Sequence, residues 1–246
     1  MILCSSCSVT GGKDMDDAEM SIVDHLTELR TRIIISAASI IVFSIFGYIF
    51  SDQILSFLTR PVGSLVFISP AEAFFTHLKV AVFSGFFIAL PIVLFQFWRF
   101  LLPALKKNEK KFMVILLPSS LFLFLIGAAF CLMVVVPIGI RFFMGFESPE
   151  LAAMLSLSSY ISFLISLVIP FGIIFELPLV ISMLVRLRIL TPDQISRFRK
   201  VVIVVIFVIG AILTPPDIFS QVMMALPLIL LFEGSLIIAR IIAPKD

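Results

Sequence analysis

Six apolar runs divide this chain, and its positive charge is confined almost wholly to every second gap between them. The runs are Ile33 to Phe50, Val80 to Trp98, Phe112 to Ile140, Leu151 to Phe175 continuing past Glu176 to Val185, Val201 to Leu213, and Ile218 to Ala239. Of the 18 Lys and Arg residues, three precede the first run, five lie between Arg99 and Lys111, five between Arg186 and Lys200, and two follow the last run. Only Arg60, Lys79 and Arg141 occupy the other gaps. Short basic loops resist translocation, so this division predicts an integral membrane protein with both termini and the two basic loops in the cytoplasm.

Composition excludes the alternatives. With 61% apolar and 14% charged residues the chain has too few polar groups to clothe a soluble domain. A formal charge of +2 averages a basic inner face and a nearly neutral outer one, and implies no nucleic-acid partner. Three cysteines are too few for a disulfide framework. Cys131 lies within the third run, where a free thiol acts as a small hydrophobe. Cys4 and Cys7 form a lone CxxC in a polar tail, which supplies half of a tetrahedral zinc site. No cofactor or metal is expected, since no phosphate-binding glycine loop or metal cluster is present. No apolar segment precedes Cys4, so neither a cleaved signal nor a lipid anchor is expected.

Local signals place the helices. Ser21-Ile22-Val23-Asp24 reads as a capping box that opens an amphipathic helix leading into the first span. Ser69-Pro70-Ala71-Glu72 and Thr191-Pro192-Asp193-Gln194 repeat the logic before spans two and five, so capping accounts for Glu72 and Gln194. The resulting expectation is all-α: a disordered tail over 1–20, then one membrane domain over 21–242 with spans near 33–50, 78–98, 112–139, 160–185, 201–213 and 218–239. The tail should be dispensable. Pro91, Pro118, Pro137, Pro170, Pro178 and Pro227 lie inside spans and should bend them into a concave bundle. Span five, thirteen residues long, reaches only about 20 Å against a hydrocarbon core of roughly 30 Å, which predicts local thinning of the bilayer.

Glu176 is the carboxylate set deepest within a run. A charge at that depth costs about 2.5–3.5 kcal/mol, so Glu176 should face the bundle interior as a neutral acid. The structural alternative is a glutamic acid bonded to a carbonyl that Pro170 or Pro178 leaves free. Glu233 is closer to the expected headgroup level and says less. An ion-coupled transporter of small solutes, with Glu176 as proton carrier, is a competing reading. Such folds show paired repeats around a midplane site, and no second half here matches the first.

Four motifs carry a resemblance. His25-Leu26-Thr27-Glu28-Leu29-Arg30-Thr31-Arg32, the stretch Phe95 to Leu105 followed by Glu109, Phe171-Gly172 with Phe175-Glu176-Leu177-Pro178, and Thr214 to Gln221 stand in the order in which they occur in the TatC family. The chain resembles that family over nearly everything from Met20 to Arg240. The resemblance implies a six-helix, cup-shaped receptor in the bacterial cytoplasmic membrane, and transport rather than enzymatic catalysis. It also implies partners: twin-arginine signal peptides of folded cargo, single-span TatA or TatB subunits, and further copies of the chain itself. The implied driving force is the protonmotive force.

By the same resemblance Glu28, Glu109, Phe100 and Arg30 form the signal-peptide site. A guanidinium pairs bidentately with a carboxylate, and two arginines call for two acceptors. Plainer readings stand beside these: an i,i+4 pair of Glu28 with Arg32, and a solvated Glu109 among Lys106, Lys107, Lys110 and Lys111. Thr214, Asp217 and Gln221 match positions that dock a partner's transmembrane helix, the alternative being a self-contained hairpin turn. The chain departs from the family pattern in reading Lys107-Asn108-Glu109 where His-Glu is frequent, and in lacking a long acidic tail after span six.

Overall fold

The computed structural model describes residues 22–62, 65–67, 69–101, 110–145, 155–213 and 218–242. They form ten α-helices: α1 (Ile22–Ile49), α2 (Ser51–Thr59), α3 (Pro70–Leu101), α4 (Lys110–Phe130), α5 (Val136–Met144), α6 (Leu157–Phe175), α7 (Leu177–Arg186), α8 (Pro192–Arg197), α9 (Arg199–Leu213) and α10 (Ile218–Ile242). Among the described residues the only extended pairing is a single bridge between Val66 and Ser156. Five stretches are long and apolar enough to cross a membrane: Leu26–Ile49, Pro70–Leu101, Ile115–Phe142, Leu157–Arg186 and Met224–Ile242. The fifth run becomes α9, whose 15 residues reach about 22 Å and fall short of a full hydrocarbon thickness.

Prolines act differently according to their surroundings. Pro91, Pro118, Pro170 and Pro227 lie within continuous helices. Pro137 follows a π-helical turn, Cys131–Val135, which joins α4 to α5. The proline ring crowds the carbonyl four residues earlier, at Met133, and the wider π turn contains that carbonyl. Cys131 itself is fully buried. Pro178 ends the straight course of the fourth run: it occupies the first turn of α7, and Glu176 is the joint between α6 and α7.

Packing follows two close crossings. α1 lies along α3, where a Cβ on Gly85 would come within 2.5 Å of the Ser44 backbone nitrogen and 2.6 Å of its Cα. α4 lies along α6, where a Cβ on Gly172 would stand 2.4 Å from the Phe124 ring. In lipid, helices gain little from burying apolar surface against one another, so small residues that admit close backbone approach supply much of the contact. Phe124, Phe171, Leu164, Leu167, Val168 and Trp98 fill the buried centre. A second cluster of Ile181, Val185, Ile195, Phe232, Leu236 and Ala239 joins α7, α8 and α10. Arg199 and Glu233, 2.8 Å apart, tie the start of α9 to α10, so Glu233 has an interhelical partner.

The two capping motifs among the described residues behave differently. Thr191 and Gln194 form the full reciprocal box at the start of α8. At the start of α3 the Glu72 amide donates to Ser69 Oγ at 3.3 Å, but the Glu72 carboxylate does more than serve its own helix. Its Oε1 accepts from the Ser156 hydroxyl and from the Ser158 amide at 3.2 Å, so Glu72 caps α6. The expectation that Glu72 has no further role is corrected accordingly: the α6 amides need an acceptor, and tertiary packing brings one. Lys79 Nζ donates to Ser158 and Ser162 at 2.9 and 2.8 Å, and the Tyr160 hydroxyl donates to the Leu58 carbonyl at 2.7 Å. The Ser21 box lies outside the described residues, as do Cys4 and Cys7.

Gly85→Ala forces a methyl group into the α1 backbone and should destabilise the protein by about 1–3 kcal/mol. Gly234 on α10 has open space around its Cβ position, so Gly234→Ala should be neutral or slightly stabilising. Thermal unfolding of the two variants in detergent checks the contrast.

Candidate functional site

Glu28 lies one turn before Arg32 on α1, and the two are paired at 2.9 Å through Glu28 Oε1 and Arg32 Nη2. Arg32 Nη1 donates to Gln96 Oε1 on α3 at 3.0 Å. The Arg32 side chain is 15% exposed and that of Glu28 23%, so the pair is shielded from water but reachable from it. Arg32 Nε is buried and has no hydrogen-bond partner among the described residues. Beside this cluster runs a groove of ≈ 360 Å³ between α1 and α3, lined by Leu29, Arg32, Ile33, Gln96, Phe97 and Phe100, among others. Arg32, bonded to Glu28 and to Gln96, lines this groove together with Phe100, so Glu28 and Phe100, separated by 72 positions in sequence, share one end of the α1–α3 pair. Arg30 is exposed on α1. Glu109 lies outside the described residues.

The i,i+4 pair read as the plain alternative for Glu28 is present. It does not neutralise the interest of the acid, since a carboxylate that accepts one guanidinium has the geometry to accept another. Chemically the cluster is a partly shielded ion pair next to an apolar groove.

A second polar chain crosses the centre of the protein. The Trp98 indole N–H donates to Ser120 Oγ at 2.9 Å, and the Ser120 hydroxyl donates to Glu176 Oε2 at 2.8 Å. Trp98 and Ser120 are fully buried, and Glu176 is 6% exposed. α3, α4 and the α6–α7 joint are thus linked by two hydrogen bonds running in one direction toward the carboxyl group. Glu176 Oε1 has no hydrogen-bond partner among the described residues. Glu176 is bonded to a serine hydroxyl from a neighbouring helix, a different partner from the proline-freed carbonyl considered on sequence.

Of the residues matched to partner docking, Thr214 and Asp217 lie outside the described residues. Gln221 on α10 donates its side-chain amide to the Phe207 carbonyl of α9 at 3.0 Å, a contact internal to the hairpin. Sequence reasoning missed Gln96, Trp98 and Ser120. Gln96 and Trp98 sit within the quoted motif that starts at Phe95, but nothing in the run sets Ser120 apart from Ser119, whose hydroxyl bonds back to Ile115 of its own helix.

The central chain gives a direct test. Ser120→Ala leaves the Trp98 N–H without its acceptor and should cost about 1–3 kcal/mol. Glu176→Gln keeps an acceptor for Ser120 and should cost less, whereas Glu176→Lys replaces the acceptor with donors and should be the worst of the three. Trp98 is the only tryptophan, so its fluorescence reports the loss of this bond alongside the melting temperature.

Comparisons with known proteins identify the family. Residues 24–227 match the family described as Sec-independent protein translocase protein (TatC). The Sec-independent protein translocase protein TatC of Carboxydothermus hydrogenoformans is 40% identical over 237 residues, covering 94% of this chain and 98% of the relative. That of Aquifex aeolicus is 40% identical over 234 residues, covering 92% and 97%. A crystal structure of the twin-arginine translocase receptor TatC superposes with a TM-score of 0.81 at 40% identity, covering 89% of this chain and 99% of that one. With the family matched over most of its length and the fold matched independently, the chain belongs to the TatC family of protein translocase components, a multi-pass membrane protein of the twin-arginine pathway.

Proposed function

We propose that this protein is the receptor that binds the twin-arginine signal peptides of folded cargo in the bacterial cytoplasmic membrane. The observation that carries the reading is Glu28: a half-shielded carboxylate, already holding a guanidinium at 2.9 Å, beside an apolar groove. A signal peptide is a basic segment followed by an apolar one, and this pairing of an acid with an apolar groove complements both parts. Glu109 supplies the second carboxylate, and Phe100 lines the groove that takes the apolar segment. Arg30, exposed on α1, completes the proposed set of signal-peptide residues.

The charge distribution supports a topology of six spans with both termini in the cytoplasm, α9 being a short span that thins the bilayer beside α10. Residues 21–242 make one membrane domain, bent by its prolines into a cup. Single-span TatA or TatB subunits dock on the α9–α10 hairpin through Thr214, Asp217 and Gln221, copies of the chain self-associate, and the protonmotive force drives transport. Glu176 fixes the centre of the bundle so that the two ends keep their relative positions.

Replacing Glu28 or Glu109 by Ala should weaken binding of a synthetic twin-arginine peptide by about 1.5–3 kcal/mol, and replacement by Lys should do worse. Added salt should weaken wild-type binding, because partly exposed charges are screened beyond about 8 Å at physiological ionic strength. Fluorescence anisotropy in nanodiscs measures both. Wild-type affinity in the double Ala variant would overturn the reading.

A further inference from the structure

We infer that a groove between α4, α7 and α10 binds an anionic phospholipid, which lays an acyl chain along the groove and sets its phosphate on Arg186. The groove measures ≈ 420 Å³, within the range of small-molecule sites. It is separate from the groove beside Glu28, since none of α1 or α3 lines it. Helical geometry fixes how it runs. From Pro178 to Arg186 one side of α7 forms a wall, and eight residues at about 1.5 Å each carry that wall over about 12 Å. Leu116 and Ser119 stand three apart on α4, and Ile238 and Ile242 four apart on α10, so each of these helices offers a single stripe. Arg186 lies in the last turn of α7, where the groove reaches the basic end of the protein.

Inward from Arg186 the lining has little to offer a polar ligand. The Ser119 hydroxyl donates to the Ile115 carbonyl at 2.8 Å and the Ser182 hydroxyl to the Pro178 carbonyl at 2.5 Å, so both hydrogens are spent within their own helices. Their neighbours along the groove, Phe122, Leu123, Leu179 and Met183, are apolar. A peptide or a sugar would bury unpaired polar groups there, whereas a hydrocarbon chain would not.

At its mouth the charge is of one sign. No acidic residue is among the described residues lining the groove; Arg186 is exposed at the end of α7, Arg188 just beyond it, and Arg240 in the last turn of α10. The ends of α7 and α10 would by themselves repel an anion, because C-terminal carbonyls carry partial negative charge, and the arginines reverse that. A guanidinium has several donors, so Arg186 can take phosphate oxygens and keep a bond within the protein. The occupant that complements both parts is a hydrocarbon chain joined to an anionic head. A bilayer supplies that chemistry at this depth, since basic residues between helices on the cytoplasmic side, to which the charge distribution assigns this end, match acidic headgroups. A partner's transmembrane helix would also fill apolar space, but it gives Arg186 no anion. The bound lipid packs α4 against α10 across a gap that the side chains leave open, and so stabilises the folded chain.

The test supplies the full chain in detergent with an equal mixture of dioleoylphosphatidylglycerol and dioleoylphosphatidylcholine, counts retained lipid by native mass spectrometry, and follows thermal unfolding with each lipid alone. The wild-type chain should retain the anionic lipid about fivefold over the zwitterionic one and gain melting temperature from it. Glycerol phosphate, a head without chains, should give no such gain. Arg186→Gln should abolish the preference, and Arg186→Lys should keep most of it, because the charge remains. Ser182→Phe places a ring in the open groove and should lose bound lipid at a wild-type melting temperature in lipid-free detergent. Arg141→Gln, at the far end of the rod that α4 and α5 form, should change nothing. Equal retention of the two lipids by the wild-type chain overturns the inference even if Arg186→Gln fails to fold. An unchanged preference in folded Arg186→Gln, or full lipid retention by Ser182→Phe, would overturn it too. So would a high-yield crosslink from Ser182→Cys to a TatA or TatB helix in membranes, which would make the groove a protein dock. The receptor reading stands under all of these outcomes.

Discussion

A bilayer's hydrocarbon core offers no hydrogen-bond partner, so every polar group carried into it must be met by the protein itself. This one constraint explains why the described residues are almost wholly helical, since a helix satisfies its backbone without help from elsewhere. It also explains the character of the exceptions. Where the backbone leaves α-geometry at Cys131–Val135, the segment stays within a continuous helical rod. Where the fourth run breaks at Glu176, the amides of Leu179 and Val180 both return to the Glu176 carbonyl at 3.0 Å.

The same constraint turns buried polar side chains into joints. Trp98, Ser120 and Glu176 connect three parts of the chain through two bonds, and none of them can turn to water instead. At the opposite end from Glu28, Glu72 serves the Ser156 hydroxyl and the Ser158 amide at the start of α6 while Lys79 serves the hydroxyls of Ser158 and Ser162. α3 carries Glu72 and Lys79 near its start, Gln96 and Trp98 near its close, and so organises both ends of the molecule.

The proposed signal-peptide site lies where the rule is relaxed. Glu28 and Arg32 are neither buried nor free, and their exposure of 23% and 15% sets the interaction between the weak pairing of surface ions and the costly pairing of buried ones. A carboxylate there can exchange partners. A carboxylate such as Glu176, at 6% exposure and bonded to a buried serine, cannot do so without disturbing three helices. Two acids in one chain thus have different tasks because of where the helices put them.

How much of this was legible in the chain differs from residue to residue. The membrane class, the helical content and the approximate positions of the apolar runs follow from hydropathy, because the requirement that a span be apolar acts on every residue of it. Thr191 and Gln194 were readable as a cap since three residues of separation suffice to define one. Glu28, Phe100 and Glu176 stood out through motifs, and the pairing of Glu28 with Arg32 follows from a single helical turn. Tertiary structure alone decided the rest. Glu72 reads locally as serving its own helix, and only the approach of α6, more than 80 residues away, gives its carboxylate a second task. Ser119 and Ser120 are indistinguishable as letters, but one helical step of about 100° separates a self-bonded hydroxyl from the centre of the polar chain. Gln96 reads as one more polar residue near a helix end until α1 crosses α3 and brings Arg32 to it across 64 positions. Sequence determines which groups must find partners in a medium without water; only the crossing of helices determines which partners they find.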